Sequence, residues 1–225
     1  MRTEIKNIIH SLEFFSNLSE EEVEKLVSIS SLKSYDKEML LYYEKSRSDK
    51  LLFLIEGLAK AYKIDKHDNE IFLHYIYKNH MLSEVSSLQH NHLTTYSNIS
   101  FVEDSYLLSI DYAIFKRDFL DKNILCLELA NEVIRQSKLF QNLVNREFIF
   151  DSVSKVAMML STDLKMFNQL KRYDVSLMLH IQPSTLSRVL SRLKRNAIIE
   201  INKGEVIIVN KKKLIDIYKG QEEDE

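Results

Sequence analysis

One stretch of the chain, IQPSTLSRVLSRLKR at residues 181–195, most constrains what it can fold into. Leu186, Val189, Leu190 and Leu193 recur at i, i+3, i+4 and i+7, the spacing that gathers side chains on one buried face of a helix. The opposite face carries Ser184, Arg188, Ser191, Arg192 and Arg195, with Ser187 at its edge and no acidic residue. Pro183, the only proline, suits the first helical position, where its missing N–H is not needed and its φ is already helical. Surface helices usually mix both signs of charge. A face of hydroxyls and guanidinium groups alone suits a polyanion, because Arg can donate two bonds to guanine O6 and N7 and Ser can serve a base edge or a phosphate.

The flanking residues extend this helix into a motif. DVSLMLH (174–180) predicts a short helix with an apolar side at Val175, Met178 and Leu179, and His180–Ile181–Gln182 supply a tight turn into Pro183. Two helices joined this way form a helix-turn-helix, whose second helix enters the major groove with its N-terminal residues on the bases. Downstream, Ala197–Ile201 and Glu205–Val209 are β-branched runs separated by Asn202–Lys203–Gly204, the signal of a hairpin that would serve as a wing. An ordinary amphipathic helix followed by a hairpin is the bland alternative, and the order helix, turn, helix, wing favours DNA. Gln182 at the helix entrance and Lys203 at the wing are candidate phosphate contacts.

Charge supports that reading. The net charge of −2 hides an asymmetry: residues 165–220 hold twelve Lys/Arg against four Asp/Glu, the tail QEEDE (221–225) contributes −4, and residues 1–164 carry −6. A basic C-terminal module on an acidic body is the electrostatic footprint expected for nucleic acid. The acidic tail is expected to be a solvated end. At 225 residues there is room for one large domain or two small ones, and 45% hydrophobic with 28% charged residues is a globular composition. No apolar run is long enough to cross a bilayer and MRTEIKNIIHSLEFF lacks a signal-peptide pattern, so a cytoplasmic protein is expected. Cys126, the single cysteine, excludes an intrachain disulfide, a four-cysteine zinc site and a four-cysteine iron–sulfur cluster.

Toward the N-terminus, Ser19 with Glu22 resembles a capping box opening a helix over 20–28, with Leu18 stapled to Val23. From Leu32 to Ile110 the texture turns β-rich: Met39–Tyr43, Leu51–Ile55, Ala59–Ile64, Ile71–Ile76, Ile99–Val102 and Tyr106–Ile110, separated by polar turns such as Asp65–Glu70. Helical patterning returns at Tyr112. A long helix is predicted over Lys122–Phe150 and another from Ser152 to Asn168. The long helix offers a stripe at Leu125, Leu129, Val133, Phe140, Leu143 and Val144, widened by Ile124, Leu127 and Ile134. One face can cover the β-domain while another pairs with a second copy, since two half-sites need two recognition helices. No GxSxG, HExxH, Gly-rich phosphate loop or paired cysteine is present, so no catalytic residue and no metal site is expected.

The motifs LLFLIEGLAKAYKID (51–65), SEVSSL (83–88), FVEDSYLLSID (101–111) and DVSLMLHIQPSTLSRVLSRLKRNAII (174–199), in this order, resemble the cyclic AMP receptor protein/fumarate–nitrate reduction regulator (CRP/FNR) family over nearly the whole chain. The resemblance implies an α+β architecture: an N-terminal cyclic-nucleotide-binding-like β-roll (jelly roll) at 1–121, a dimerisation helix at 122–150, a winged helix-turn-helix at 151–220 and the acidic tail. Gly57 falls where the family turns between two sensor strands. Ser184–Thr185–Leu186–Ser187–Arg188 is similar to the family pattern Glu, Thr, Leu or Ile, Ser, Arg, which makes Ser187 and Arg188 the expected base readers and Thr185 part of the DNA face. Ser184 replaces the usual Glu, and a hydroxyl does not impose the acceptor-only preference that reads cytosine N4.

In nucleotide-binding members a Gly-Glu pair and a later Arg-Ser or Arg-Thr pair hold the cyclic phosphate and ribose. Here the corresponding residues are Ser83–Glu84 and Thr95–Tyr96, and the arginine is missing. A phosphate without its charged partner loses a charge-assisted interaction, so cyclic AMP is not expected to be a tight effector. The implied effector pocket is lined by Ser83, Glu84, Thr94, Thr95 and Tyr96, with the cofactor or effector unknown. Haem is an alternative occupant because His74, His80, His90 and His92 lie in or near the sensor, although solvent-facing loop histidines are the preferred reading. The expected partners are double-stranded DNA with a palindromic operator, a second copy of the chain, and RNA polymerase. The alternative function is a haem-, gas- or small-molecule-binding sensor whose helix-turn-helix makes protein contacts.

Overall fold

A computed structural model describes residues 2–219, apart from the side chains of Arg146 and Glu147, so the tail 221–225 lies outside the described residues. The chain divides into two compact units, Met1–Phe140 and Gln141–Glu225.

The first unit opens with α1 (Arg2–Ser11) and α2 (Glu20–Ser28). The capping box at the head of α2 is present: Glu22 N–H donates to Ser19 Oγ at 3.4 Å and the Glu22 carboxylate accepts from Ser19 N–H at 2.7 Å. Ten strands follow: β1 (Ser30–Tyr35), β2 (Leu40–Tyr42), β3 (Arg47–Ser48), β4 (Lys50–Glu56), β5 (Ala59–Ile64), β6 (Glu70–Ile76), β7 (His80–Met81), β8 (Leu93–Thr94), β9 (Asn98–Phe101) and β10 (Ser105–Asp111). They form one sheet in the order β1-β10-β4-β7, a second in the order β2-β9-β5-β6, and the short pair β3-β8, all antiparallel. This is the expected β-roll. The Asp65–Glu70 turn works without glycine because Asp68 takes φ +61° and the Asp65 carboxylate accepts from the His67 and Asn69 N–H groups at 2.7 and 2.9 Å. Gly57, between β4 and β5, has φ +92°.

The roll leads into α3 (Tyr112–Asp118) and α4 (Cys126–Val144). The expected helix over 122–150 is therefore shorter at both ends. Leu120–Lys122 is a single 3-10 turn, and Asn123 (φ +60°) and Leu125 (φ +63°) interrupt it. A left-handed leucine costs roughly 1–2 kcal/mol, a cost offset here by burial: Leu125 sits in the core with Leu129, beneath α1, α2 and α3. At the other end Asn145–Ile149 widens into a π turn.

The second unit contains α5 (Ser152–Thr162), α6 (Leu164–Gln169), α7 (Arg172–Met178), α8 (Pro183–Arg195), β11 (Ile199–Asn202), β12 (Glu205–Ile208) and α9 (Lys211–Lys219). The single helix expected from Ser152 to Asn168 is two. Asp163 leaves helical geometry (φ −146°, ψ 56°) and its carboxylate accepts from Met166 N–H, restarting the chain as α6. β11 and β12 pair from Ile199↔Ile208 to Asn202↔Glu205 across a two-residue turn at Lys203 (φ +48°) and Gly204 (φ +90°), the left-handed pair that a tight hairpin demands. A Cβ built at Gly204 would meet no atom within 4 Å.

Candidate nucleic-acid interface

The candidate surface is built on α8. Its stripe of Leu186, Val189, Leu190 and Leu193 is buried, no residue more than 7% exposed, and packs within the second unit. Val175 of α7 and Leu179 just after it are also buried, and His180 turns the chain with φ +50°, a conformation that costs a histidine less than most residues. With its stripe fixed inward, α8 presents Ser184, Ser187, Arg188, Ser191, Arg192 and Arg195 to solvent, with Thr185 half-buried beside them. Gln182 occupies the N-cap position without a side-chain capping bond, Pro183 is the first helical residue, and no acidic side chain lies in the first turn. The positive end of the helix dipole is thus left uncompensated, an arrangement that favours a phosphate there. Arg192, Lys194 and Arg195 occupy the last turn, where cations meet the negative end.

The two expected base readers are positioned differently. Arg188 lies back along the helix, donating to the Ser184 carbonyl at 3.4 Å and to Thr185 Oγ1 at 3.3 Å. Both bonds are long and solvent-exposed, so releasing the guanidinium into a groove costs little. Ser187 is exposed, and its carbonyl accepts from Ser191 Oγ at 2.9 Å. Lys203 stands at the tip of the β11–β12 turn, also exposed. Sequence reasoning missed the residues that fix this wing. The Asn168 side chain pairs with Val206 as a strand would, donating to its carbonyl and accepting from its N–H, both at 2.9 Å. Arg172 donates to the Phe167 carbonyl at 3.0 Å and to the Gly204 carbonyl at 2.6 Å. Neither has a periodic signal, because the wing residues they hold, Val206 and Gly204, lie 38 and 32 residues away in sequence. The lysine run Lys211–Lys213 at the head of α9, visible in the sequence, adds to the unit's positive charge.

The Crp-like helix-turn-helix domain matches residues 156–217. Solved structures similar to the chain include FixK2 from Bradyrhizobium japonicum (14% identity, TM-score 0.67, covering 86% of this chain and 99% of that one). A CooA variant from Carboxydothermus hydrogenoformans is similar at 17% identity and TM-score 0.71, covering 92% and 95% of the two chains. A protein from Eubacterium rectale described as a transcriptional regulator of the CRP/FNR family is similar at 15% identity and TM-score 0.60, covering 92% and 98%. The chain thus shares the fold of these proteins and carries a Crp-like helix-turn-helix domain over residues 156–217. No curated protein sequence matches it.

The expected effector residues are drawn into the fold rather than around an open cavity. Ser83 is buried between strands: its hydroxyl accepts from Leu52 N–H at 2.9 Å and donates to the Lys50 carbonyl at 3.3 Å. The Glu84 carboxylate accepts from the backbone N–H groups of Tyr96 and Ser97 and from the Ser97 hydroxyl, the last at 2.8 Å. Thr95, also buried, donates its hydroxyl to the Tyr43 carbonyl at 2.8 Å, and Thr94 N–H donates to Ser86 Oγ at 3.2 Å. Tyr96 points outward, 51% exposed. Of the five, Glu84 alone lines the neighbouring cavity, together with His74, Ile99, Arg135, Gln136 and Phe140, and that cavity measures about 20 Å³. This is room for about one water molecule, against the roughly 300 Å³ or more of ordinary ligand pockets.

The histidines do not converge either. His74 packs edge-on against Phe140 (6.2 Å between ring centroids). His80 is half-buried with its pKa lowered by burial and by Arg135, and His90 and His92 stand 5.2 Å apart on a loop. Among the described residues no group of three His, Cys, Asp or Glu side chains could hold a metal ion, and no helix is long and apolar enough to cross a membrane.

Proposed function

We propose that the protein is a sequence-specific transcription regulator that binds a palindromic operator as a homodimer in the cytoplasm and contacts RNA polymerase. The observation that carries this is α8 itself: its apolar stripe is fully committed to the core, so the acid-free face of hydroxyls and guanidiniums is what remains for a partner. Arg188 and Ser187, with Ser184, read base edges in each half-site. Gln182, Thr185, Ser191, Arg192, Arg195 and Lys203 serve the phosphates. A homodimer is supported by α4, where Leu127, Val133, Ile134 and Phe140 are each at least 40% exposed although they belong to the same apolar pattern as the buried Leu125 and Leu129. Selection of bound duplexes from a random library identifies the operator. On that site, Arg188→Ala is expected to cost about 1–3 kcal/mol and to relax the preference at one base pair. Unchanged mobility shifts and unchanged base preference would sink the assignment. Steep salt dependence of duplex binding separates this function from that of a sensor using its helix-turn-helix for protein contacts.

The β-roll responds to something other than a cyclic nucleotide. The missing arginine, the internal bonds of Ser83, Glu84 and Thr95, and the small cavity all support this reading. Calorimetric titration with cyclic AMP is expected to give no binding in the micromolar range, and a dissociation constant of micromolar or tighter overturns it. Haem addition is expected to leave the Soret band that of free haem, because the cavity that His74 lines, about 20 Å³, is far too small for a porphyrin.

A further inference from the structure

We propose that Arg172 is a positioning residue that latches the wing, holding Lys203 where a DNA phosphate would meet it. The inference rests on the DNA-binding function proposed above. A two-stranded ribbon with a two-residue turn is marginal on its own and needs packing from elsewhere. Here β12 is held at its middle by Val206, buried and paired with Asn168, but this leaves the tip unsupported. Arg172 supplies that support. Its guanidinium bonds the Gly204 carbonyl at 2.6 Å and the Phe167 carbonyl at 3.0 Å, and stacks 4.4 Å from the centre of the Phe167 ring. One planar group thereby ties the residue next to Lys203 to the end of α6. The fork geometry is specific to arginine, since a lysine ammonium is a point charge without the flat face for stacking or the fixed pair of donors. Both acceptors are neutral backbone carbonyls, so these bonds keep the positive charge of Arg172 at the base of the wing without cancelling it.

The test uses the full chain, a random-sequence duplex and a salt titration. Lys203→Ala is expected to reduce the slope of log K against log salt by about one, the effect of one phosphate contact. Arg172→Lys, which keeps the charge but loses the fork, is expected to reduce it by the same amount although Lys203 is still present. The double variant should fall no further. A normal slope in Arg172→Lys, or two losses that add, overturns the proposal. Backbone relaxation by NMR decides the same point without DNA: Lys203 and Gly204 should become mobile on the nanosecond scale in Arg172→Lys while amides of α8 keep their exchange protection, and a tip as rigid as in the parent chain overturns it. If the parent chain has no affinity for duplex DNA, the proposed function falls, and the relaxation measurement still decides the latch.

Discussion

Gly57→Ala is expected to destabilise the β-roll by about 2–5 kcal/mol, from a positive-φ penalty of roughly 1–2 kcal/mol and an overpacking cost of roughly 1–3 kcal/mol. At φ +92° an alanine is strained before any contact is counted. Its Cβ would then stand 2.3 Å from Ser105 Oγ, 2.6 Å from the Asp104 carbonyl oxygen and 2.9 Å from Ser105 Cα. The hydroxyl could rotate away, at the expense of its 2.7 Å bond to the Glu103 carbonyl. The other two atoms are backbone, and moving them means moving the start of β10, which runs between β1 and β4 in its sheet. Chemical denaturation with hydrogen exchange over β4, β5 and β10 measures the effect. A loss under about 1 kcal/mol would mean that this turn yields more easily than its contacts imply.

Leu186→Ala is expected to cost the second unit about 2–5 kcal/mol and to abolish duplex binding near physiological temperature. Leu186 is 1% exposed, so truncation removes apolar contacts and leaves a cavity directly beneath the solvent-facing side of α8. Arg188, two residues on, is exposed, and its removal should change stability by no more than about 0.5 kcal/mol. The two variants are therefore expected to lose duplex binding for different reasons. Faster amide exchange across Pro183–Arg195 in Leu186→Ala and not in Arg188→Ala distinguishes them. Equal protection in both would show that the stripe does not hold the helix.

The contrast also shows what was legible from residues alone. α8 could be read to its ends because its burial follows from its own spacing and its start from Pro183. β5 could be read residue by residue, and β4, β6, β9 and β10 within one residue at either end. β1 could not: SSLKSY has no apolar alternation and becomes a strand because β10 pairs with it along its whole length. The break at Asp163 and the late start of α4 were equally hidden. No glycine or proline marks either, and the left-handed Leu125 is held by the core it enters. In the sensor, the sequence shows hydroxyls and a carboxylate in the right order but not where they point. Ser83 and Thr95 turn out to be joined to backbone carbonyls, and Glu84 to backbone amides.

The two glycines that bend backward at φ +92° and +90° share a torsion and differ in surroundings, one pressed against β10 and the other with nothing near it. Each is thus the other's control. Alanine at position 204 would carry the dihedral penalty alone, and subtracting it from the loss at Gly57 would isolate what crowding costs within the same molecule, free of any assumption about the unfolded chain's preference for glycine.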